Sequence, residues 1–140
     1  MEIIDFLFAE DQLLITGTLA ILIGLFLVNV MGDKLKKYKV VDVNGAINLM
    51  DDDDLIILDV RDDKERKSGF IDKDVHIPLK QVKDKLSTLD NKKSVLVYCR
   101  SGSRSGHIAG LLSNNDFEKV FSLQGGIQAW QKASMPIKKS

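Results

Sequence analysis

The chain has 140 residues, enough for one ordinary domain and a short additional segment. Its 20 basic and 20 acidic residues balance, but residues 1–31 contain four acids and no lysine or arginine, which leaves 32–140 with a net charge of +4. That charge is too small to indicate a nucleic-acid partner, and the single cysteine excludes an intramolecular disulfide and a multi-cysteine metal site. An unpaired thiol suits a reducing compartment, most simply the cytosol.

The first predicted element is an uncharged, mostly apolar helix over 13–31. At about 1.5 Å per residue, its length approaches the ~20 residues that span a bilayer core of ~30 Å. A buried core helix and a cleaved signal peptide are the alternatives. However, acids precede this run and Lys34, Lys36, Lys37 and Lys39 follow it, whereas a signal peptide begins with a basic region. By the positive-inside rule, we expect one uncleaved anchor with its N-terminus outside and the rest of the chain in the cytoplasm.

The remainder of the chain shows the alternation of an α/β fold. Strands are predicted at 39–41, 55–58, 75–79, 95–98 and 120–123, and helices at 42–50, 62–67, 81–86, 105–112 and 127–133. Continuous apolar runs such as 55–58 are typical of strands buried on both faces of a parallel sheet. We therefore expect a central parallel sheet flanked by helices on both faces. The acidic run 51–54 lacks the spacing of a calcium loop, and we predict no metal site.

These elements divide the chain into four predicted segments. They are a short N-terminal segment (1–12), a transmembrane helix (13–31), a basic juxtamembrane linker (32–38) and one folded domain (39–137). Lysines in such a linker can contact anionic lipid head groups as well as set the orientation of the anchor.

The most informative residue is Cys99, which follows the apolar strand at 95–98. Lone cysteines are often small buried hydrophobes, so a structural role is the alternative to be weighed. Here, Gly102 permits a left-handed turn, and a tight loop, a helix N-terminus and nearby arginines all favour a thiolate. We predict that Cys99 is a nucleophile. The loop predicted to bind an anionic substrate consists of Arg100, Ser101, Gly102, Ser103 and Arg104.

Three motifs resemble, in order and spacing, the signatures of the rhodanese-like domain family. They are I-L-D-V-R at 57–61 with Glu65, V-Y-C-R-S-G-S-R-S at 97–105, and L-Q-G-G-I-Q-A-W at 123–130 closed by M-P at 135–136. The resemblance covers the whole predicted domain. With its N-terminal anchor, the chain resembles the small membrane-bound rhodaneses of bacteria, which implies an inner-membrane location.

The resemblance implies sulfane-sulfur transfer without a cofactor. Cys99 would take the outer sulfur of a small anionic donor such as thiosulfate, hold it as a persulfide and pass it to a thiol or protein acceptor. Loop amides would converge on the sulfur, while Arg100 and Arg104 would lower the pKa of Cys99 and attract anionic donors. The C-x4-R spacing is one residue shorter than the C-x5-R of related phosphatases, which argues against phosphatase activity.

Other polar residues of the motifs are predicted to support the site. Asp59 and Arg61 follow a predicted strand, where α/β proteins build their sites, so a catalytic role is the alternative for them. We favour a structural role, in which Arg61 pairs with a carboxylate such as Glu65 and fixes the loop. We interpret the remaining candidate side chains as structural too; they are His76, His107 and Trp130.

One segment departs from the family pattern G-H-I-x-G-A. Phe70 replaces the usual histidine, and Asp74-Val75 replaces Gly-Ala, so we expect local repacking there rather than lost chemistry. The alternative function is that of a membrane-tethered interaction module that keeps the fold and docks a partner, for which a membrane protein is one candidate. The intact loop around Cys99 favours the enzyme, since a scaffold has no need of two arginines beside a thiol.

Overall fold

A computed structural model describes residues 2–7 and 9–139. The predicted N-terminal segment therefore includes two residues, 1 and 8, that lie outside the described residues, and the side chain of Lys34 lies outside them as well. The chain forms two compact units, Met1–Lys36 and Lys37–Ser140, which are described separately.

The first unit is helical. It contains α1 (Glu2–Leu7) and α2 (Glu10–Leu35), and the 21 residues Gln12–Gly32 of α2 carry no charged side chain. Two polar side chains in this stretch bond the helix's own backbone: Thr16 Oγ1 donates to the Gln12 carbonyl at 3.0 Å and Thr18 Oγ1 to the Leu14 carbonyl at 2.7 Å. Length and composition make α2 a candidate membrane span, because a helix satisfies its backbone polar groups internally.

The second unit alternates strands and helices, as the sequence predicts. In chain order its elements are β1 (Lys39–Val41), α3 (Val43–Leu49), β2 (Ile56–Asp59), α4 (Asp63–Arg66), β3 (Val75–His76), α5 (Leu79–Val82), a 3-10 helix (Lys83–Thr88), β4 (Val95–Tyr98), α6 (Ser103–Ser113), β5 (Val120–Leu123) and α7 (Gly126–Lys132). The strands form one parallel sheet in the order β1-β5-β4-β2-β3.

The central strand β4 shows why both faces of the sheet are covered. Val95 and Val97 point into one apolar cluster, and Leu96 and Tyr98 point into another, because successive side chains alternate across a strand. Side chains of α5 and α6 complete the first cluster, and those of α3 and α7 complete the second, which includes the buried Trp130. The predicted parallel sheet with helices on both faces is confirmed.

Some predicted boundaries are wrong for identifiable reasons. The strand predicted at 75–79 ends at His76, because Pro78 precedes α5 and has no N–H to donate to a ladder. The helix predicted at 81–86 begins at Leu79 instead and passes into the 3-10 helix at Lys83. The helix predicted to begin at residue 105 begins at Ser103, directly after a left-handed Gly102.

The sheet brings the functional motifs to one edge, since parallel strands end on the same side. Asp59, the last residue of β2, lies opposite Tyr98, the last residue of β4, and Cys99 follows immediately. Open α/β sheets bind their ligands outside the carboxyl ends of the strands. This edge is therefore where a site is expected.

Candidate active site

Cys99 lies at the carboxyl end of β4 with its side chain fully buried on the face that α6 covers. Its Sγ accepts hydrogen bonds from the backbone N–H groups of Gly102, at 3.1 Å, and Ser105, at 3.3 Å. The thiol in turn donates to Ser105 Oγ at 3.6 Å. The loop thus closes around the sulfur.

Two opposing effects set the acidity of this thiol. Burial by itself would raise the pKa of Cys99, because it penalises the charged form. The hydrogen bonds from the backbone and hydroxyl of Ser105 and from the amides of Gly102 and Ser101 outweigh burial and lower the pKa below the usual thiol value. The arrangement therefore favours a nucleophilic thiolate.

The start of α7 holds this loop in place. The N–H of Ile127 donates to the Cys99 carbonyl at 2.9 Å, and the N–H of Gln128 donates to the Arg100 carbonyl at 3.2 Å. Gly126 has φ +58°, and a Cβ there would overlap both carbonyl oxygens. The C=O and N–H of one peptide group point in opposite directions. Because the Arg100 carbonyl is turned toward α7, the Ser101 amide that shares its peptide group is turned toward the sulfur.

Arg104 is engaged by an ion pair within the domain. Its two terminal nitrogens donate to the two carboxylate oxygens of Glu65 at 2.6 and 2.8 Å. The hydrogen bond from Arg104 lowers the pKa of Glu65 to about 2, and the same bond raises the pKa of Arg104. Arg100 is exposed and forms no ion pair with any residue that the structure describes. Of the two arginines predicted to bind an anion, Arg104 is thus partly neutralised by Glu65, whereas Arg100 is exposed to solvent.

Arg61 pairs with a carboxylate, but the partner differs from the one expected. Its Nε and Nη2 donate to Asp59 at 3.0 and 2.9 Å, and the Glu65 carboxylate bonds Arg104 instead. Nη1 and Nη2 of Arg61 also donate to the carbonyls of Glu65, at 3.2 Å, and Gly69, at 2.7 Å. The guanidinium is 2% exposed and joins β2 to the segment that follows α4.

The segment that departs from the family pattern forms a network that the sequence reasoning missed. Arg66 donates to both oxygens of Asp74 at 2.6 and 2.7 Å and lies 4.0 Å from the centre of the Phe70 ring. The Tyr98 hydroxyl donates to Asp74 at 2.5 Å and accepts from the N–H of Ile71 at 3.1 Å. Phe70 and Asp74, two of the three residues that depart from the pattern, therefore both contact Arg66.

In the described part of the chain, neither histidine is hydrogen-bonded to the sulfur of Cys99. His76 Nε2 is 2.7 Å from the Arg61 carbonyl, and His107 is exposed on α6. A cavity of about 420 Å³ opens beside the loop, and its lining includes Val60, Pro78 and Arg104. Among the described residues, no three His, Cys, Asp or Glu side chains come close enough to hold a metal ion.

Comparison with known proteins identifies the family of the chain. Residues 42–133 match the family defined by the Rhodanese-like domain. The chain belongs to the rhodanese-like domain family.

Individual relatives of the chain are named sulfurtransferases. It is 30% identical over 100 residues to the thiosulfate sulfurtransferase GlpE of Vibrio cholerae, which covers 71% of this chain and 94% of GlpE. It is 36% identical over 85 residues to YtwF of Bacillus subtilis, which is provisionally named a sulfurtransferase, over 61% of this chain and 82% of YtwF. The crystal structure of a rhodanese-related protein from Thermoplasma volcanium superimposes with a TM-score of 0.68 at 25% identity, over 74% of this chain and all of that one.

Proposed function

We propose that this rhodanese-like protein transfers sulfane sulfur from an anionic donor such as thiosulfate to a thiophilic acceptor through a persulfide on Cys99. The observation that carries the proposal is the position of the Cys99 Sγ atom, which accepts hydrogen bonds from the amides of Gly102 and Ser105. These bonds contribute to the lowered pKa of the thiol. The relatives with sulfurtransferase names support the same reaction class.

The proposed reaction consists of two displacements. In the first, the Cys99 thiolate attacks the outer sulfur of thiosulfate, a bond forms between the two sulfurs, and the donor's S–S bond breaks so that sulfite leaves with the electron pair. In the second, a thiolate or cyanide attacks the outer sulfur of the persulfide. The Sγ–S bond breaks and its electron pair returns to Cys99. The electrons balance without a metal or a cofactor.

Within this scheme the loop residues divide the work. The amides of Ser101, Gly102 and Ser105 are preorganised donors that stabilise negative charge as it moves between sulfurs. Arg100, exposed and without an ion pair among the described residues, attracts the anionic donor. Arg104 is bound to Glu65, so it contributes by fixing the start of α6 as well as by its charge.

Asp59 and Arg61 support the site from β2. Their buried ion pair joins the end of that strand to the carbonyls of Glu65 and Gly69 and so holds α4, which carries Glu65, beside the loop. We assign them a structural role, because neither is bonded to Cys99.

The persulfide provides a direct test. The 140-residue protein, solubilised in mild detergent, is incubated with thiosulfate, and its intact mass and the released sulfite are measured. We expect a mass gain of about 32 Da, the mass of one sulfur atom, with one sulfite released per protein. Cyanide or a thiol should remove the added mass.

The Cys99→Ser variant is the control, because it removes the only thiol and changes one atom. It should fold, as judged by circular dichroism, and gain no mass. A folded wild-type protein that gains no sulfur from thiosulfate or from a persulfide donor would contradict the proposal and favour the interaction module.

We further propose the arrangement of the chain in the cell. The helix over 13–31 anchors it in the bacterial inner membrane after a short outer segment, 1–12, and the linker 32–38 leads to a cytoplasmic domain over 39–137. The run of uncharged residues in α2 supports the anchor, and the lysines that follow it support the orientation. A membrane protein is then a suitable sulfur acceptor.

A further inference from the structure

A second serine lies behind the loop serine that contacts the sulfur. Ser122, on β5, is 2% exposed, and its Oγ lies 2.9 Å from Ser105 Oγ. Ser105 is fully buried and reaches both the Gly102 carbonyl, at 3.0 Å, and Cys99 Sγ, at 3.6 Å. The three side chains form a buried row from β5 through α6 to the sulfur.

The number of hydroxyl hydrogens decides the direction of these bonds. Among the described residues, Ser105 is the one hydrogen-bond partner of the Ser122 side chain. If Ser105 donated to Ser122, the buried Ser122 hydrogen would have no acceptor, at the cost of desolvating an unpaired donor. Ser122 therefore donates, Ser105 Oγ accepts, and the Ser105 hydrogen remains available for another partner.

That hydrogen has two acceptors within reach. In the thiol form it bonds the Gly102 carbonyl, while the Cys99 S–H donates to Ser105 Oγ. When the thiol loses its proton, the Ser105 hydroxyl can turn to Sγ. The Gly102 carbonyl is not left unsatisfied, because it also accepts the N–H of Gly106 at 3.1 Å.

We propose that Ser122 is a positioning residue for sulfur transfer, whose hydroxyl directs the Ser105 O–H toward Cys99 Sγ whenever that sulfur carries negative charge. Ser122 acts through Ser105 and touches no reacting atom. This inference rests on the proposed function, in which the sulfur of Cys99 is an anion before the first displacement and again after the second. Buried, connected hydroxyls polarise one another, which strengthens the bond to the sulfur.

Few charged groups compete with this effect. From α6, Arg104 attracts the thiolate, and its ion pair with Glu65 of α4 offsets part of that charge. At the end of β2, the Asp59 carboxylate is bonded to two arginines. The strand β5 contributes no charged side chain. Removal of the Ser122 hydroxyl therefore changes hydrogen bonding without changing the charge near Cys99.

The test is a pH titration of the Cys99 thiolate by its ultraviolet absorbance, with the Cys99→Ser protein subtracted as baseline. The chain has one cysteine, so the titration of the whole protein in detergent reports this thiol alone. We expect Ser122→Ala and Ser122→Val to raise the thiol pKa, so that the thiolate fraction below that pKa falls about three- to tenfold. Ser122→Thr, which matches valine in shape and keeps the hydroxyl, should retain the wild-type titration.

A double-mutant cycle separates this role from a general packing effect. In a Ser105→Ala background, Ser122→Ala should shift the titration no further, because Ser122 acts only through the Ser105 hydroxyl. Should the threonine variant fail to fold, the alanine variants, which add no atoms, still complete the cycle. Thermal unfolding of each variant checks that the comparison is made on folded protein.

The outcomes are distinct from those of the persulfide test, because the titration uses no sulfur donor. An unchanged thiol pKa in Ser122→Ala would overturn the inference even if the wild type forms a persulfide. Equal shifts from Ser122→Ala in the presence and absence of the Ser105 hydroxyl would overturn it too. If Ser122→Ala raises the thiol pKa but the wild-type protein takes up no sulfur, the proposed function fails. The effect of Ser122 on the Cys99 thiolate, acting through Ser105, would still stand.

Discussion

At the residue scale, hydrogen bonds and one nearby ion pair determine the acidity of the buried Cys99 thiol. Cys99 is fully buried, yet its pKa is lowered, because amide and hydroxyl donors outweigh burial. Arg104 adds positive charge, but Glu65 neutralises much of it through two short hydrogen bonds. Hydrogen bonds rather than net charge therefore do most to stabilise the thiolate.

The ion pair between Glu65 and Arg104 has a measurable pH signature. The folded-state pKa of Glu65 is lowered from 4.5 to about 2, so its stabilising contribution is present above pH 4.5 and is lost as the pH falls toward 2. Both side chains remain partly exposed, and we expect Glu65→Gln to lower the free energy of unfolding at neutral pH by about 1 kcal/mol. Below pH 2 the wild type and the variant should converge.

Urea unfolding between pH 2 and 7 measures this difference. Glu118→Gln is the matched control, because Glu118 is an exposed glutamate outside the site and forms no ion pair with any described residue. A gap between the wild type and Glu65→Gln that stays constant across this pH range would show that the ion pair does not stabilise the fold.

At the element scale, the N-terminus of α7 orients the loop that follows Cys99 through its backbone. Its amides hold the carbonyls of Cys99 and Arg100, and this approach requires that residue 126 have no side chain. The third sequence motif thus contributes a close contact between backbones, while its tryptophan packs in the core. Glycine is needed here for both its space and its positive φ.

We expect Gly126→Ala to destabilise the domain by about 2–4 kcal/mol, because alanine is strained at this φ and its Cβ overlaps the loop carbonyls. Any folded fraction should form persulfide more slowly than the wild type, since the loop amides would be displaced. Urea unfolding and the mass assay measure the two effects.

The control is Gly110→Ala in α6, where a Cβ would meet only Tyr38 at an ordinary 3.8 Å. We expect this change to be neutral or stabilising by up to about 1 kcal/mol, because alanine favours a helix. Similar losses from both substitutions would contradict the assigned role of Gly126.

At the scale of the whole molecule, one chain combines an apolar helix with a rhodanese-like domain. The helix residues Gln12–Gly32 are uncharged, and the family match over 42–133 begins after them. The proposed anchor would raise the local concentration of the domain at the membrane surface. It would thereby favour acceptors that are themselves membrane-bound.

The proposed orientation is tested by placing a single exposed thiol on either side of the membrane. In a Cys99→Ser background, Asp53→Cys labels the domain and Glu2→Cys labels the N-terminal segment, since both positions are exposed. In intact cells, a membrane-impermeant maleimide should react with the thiol at position 2. It should react with the thiol at position 53 only after permeabilisation.

Fractionation with the membranes is the accompanying control. Labelling of the thiol at position 53 in intact cells would reverse the proposed orientation, and recovery of the whole chain in the soluble fraction would contradict the anchor.

The fold class, the order of the elements and the family could all be predicted from the sequence. Apolar runs and turn residues are local signals, and the three motifs are each continuous in the chain, so they are readable without coordinates. The glycines of the loops and the strand that leads to Cys99 were predictable for the same reason. Helix boundaries near Pro78 and Gly102 were less so, because turns of similar composition differ in length.

The pairing of the polar groups, in contrast, could not be predicted without the three-dimensional structure. Arg104 is hydrogen-bonded to Glu65, which is 39 positions away in the sequence, and Ser105 to Ser122, which is 17 positions away. Asp74 reaches Tyr98 because β3 and β4 both flank β2. No local pattern contains these pairings, since they depend on the order of strands in the sheet and on which face each side chain occupies. The ion pair between Glu65 and Arg104 and the hydrogen bond between Ser105 and Ser122 therefore depend on the tertiary fold.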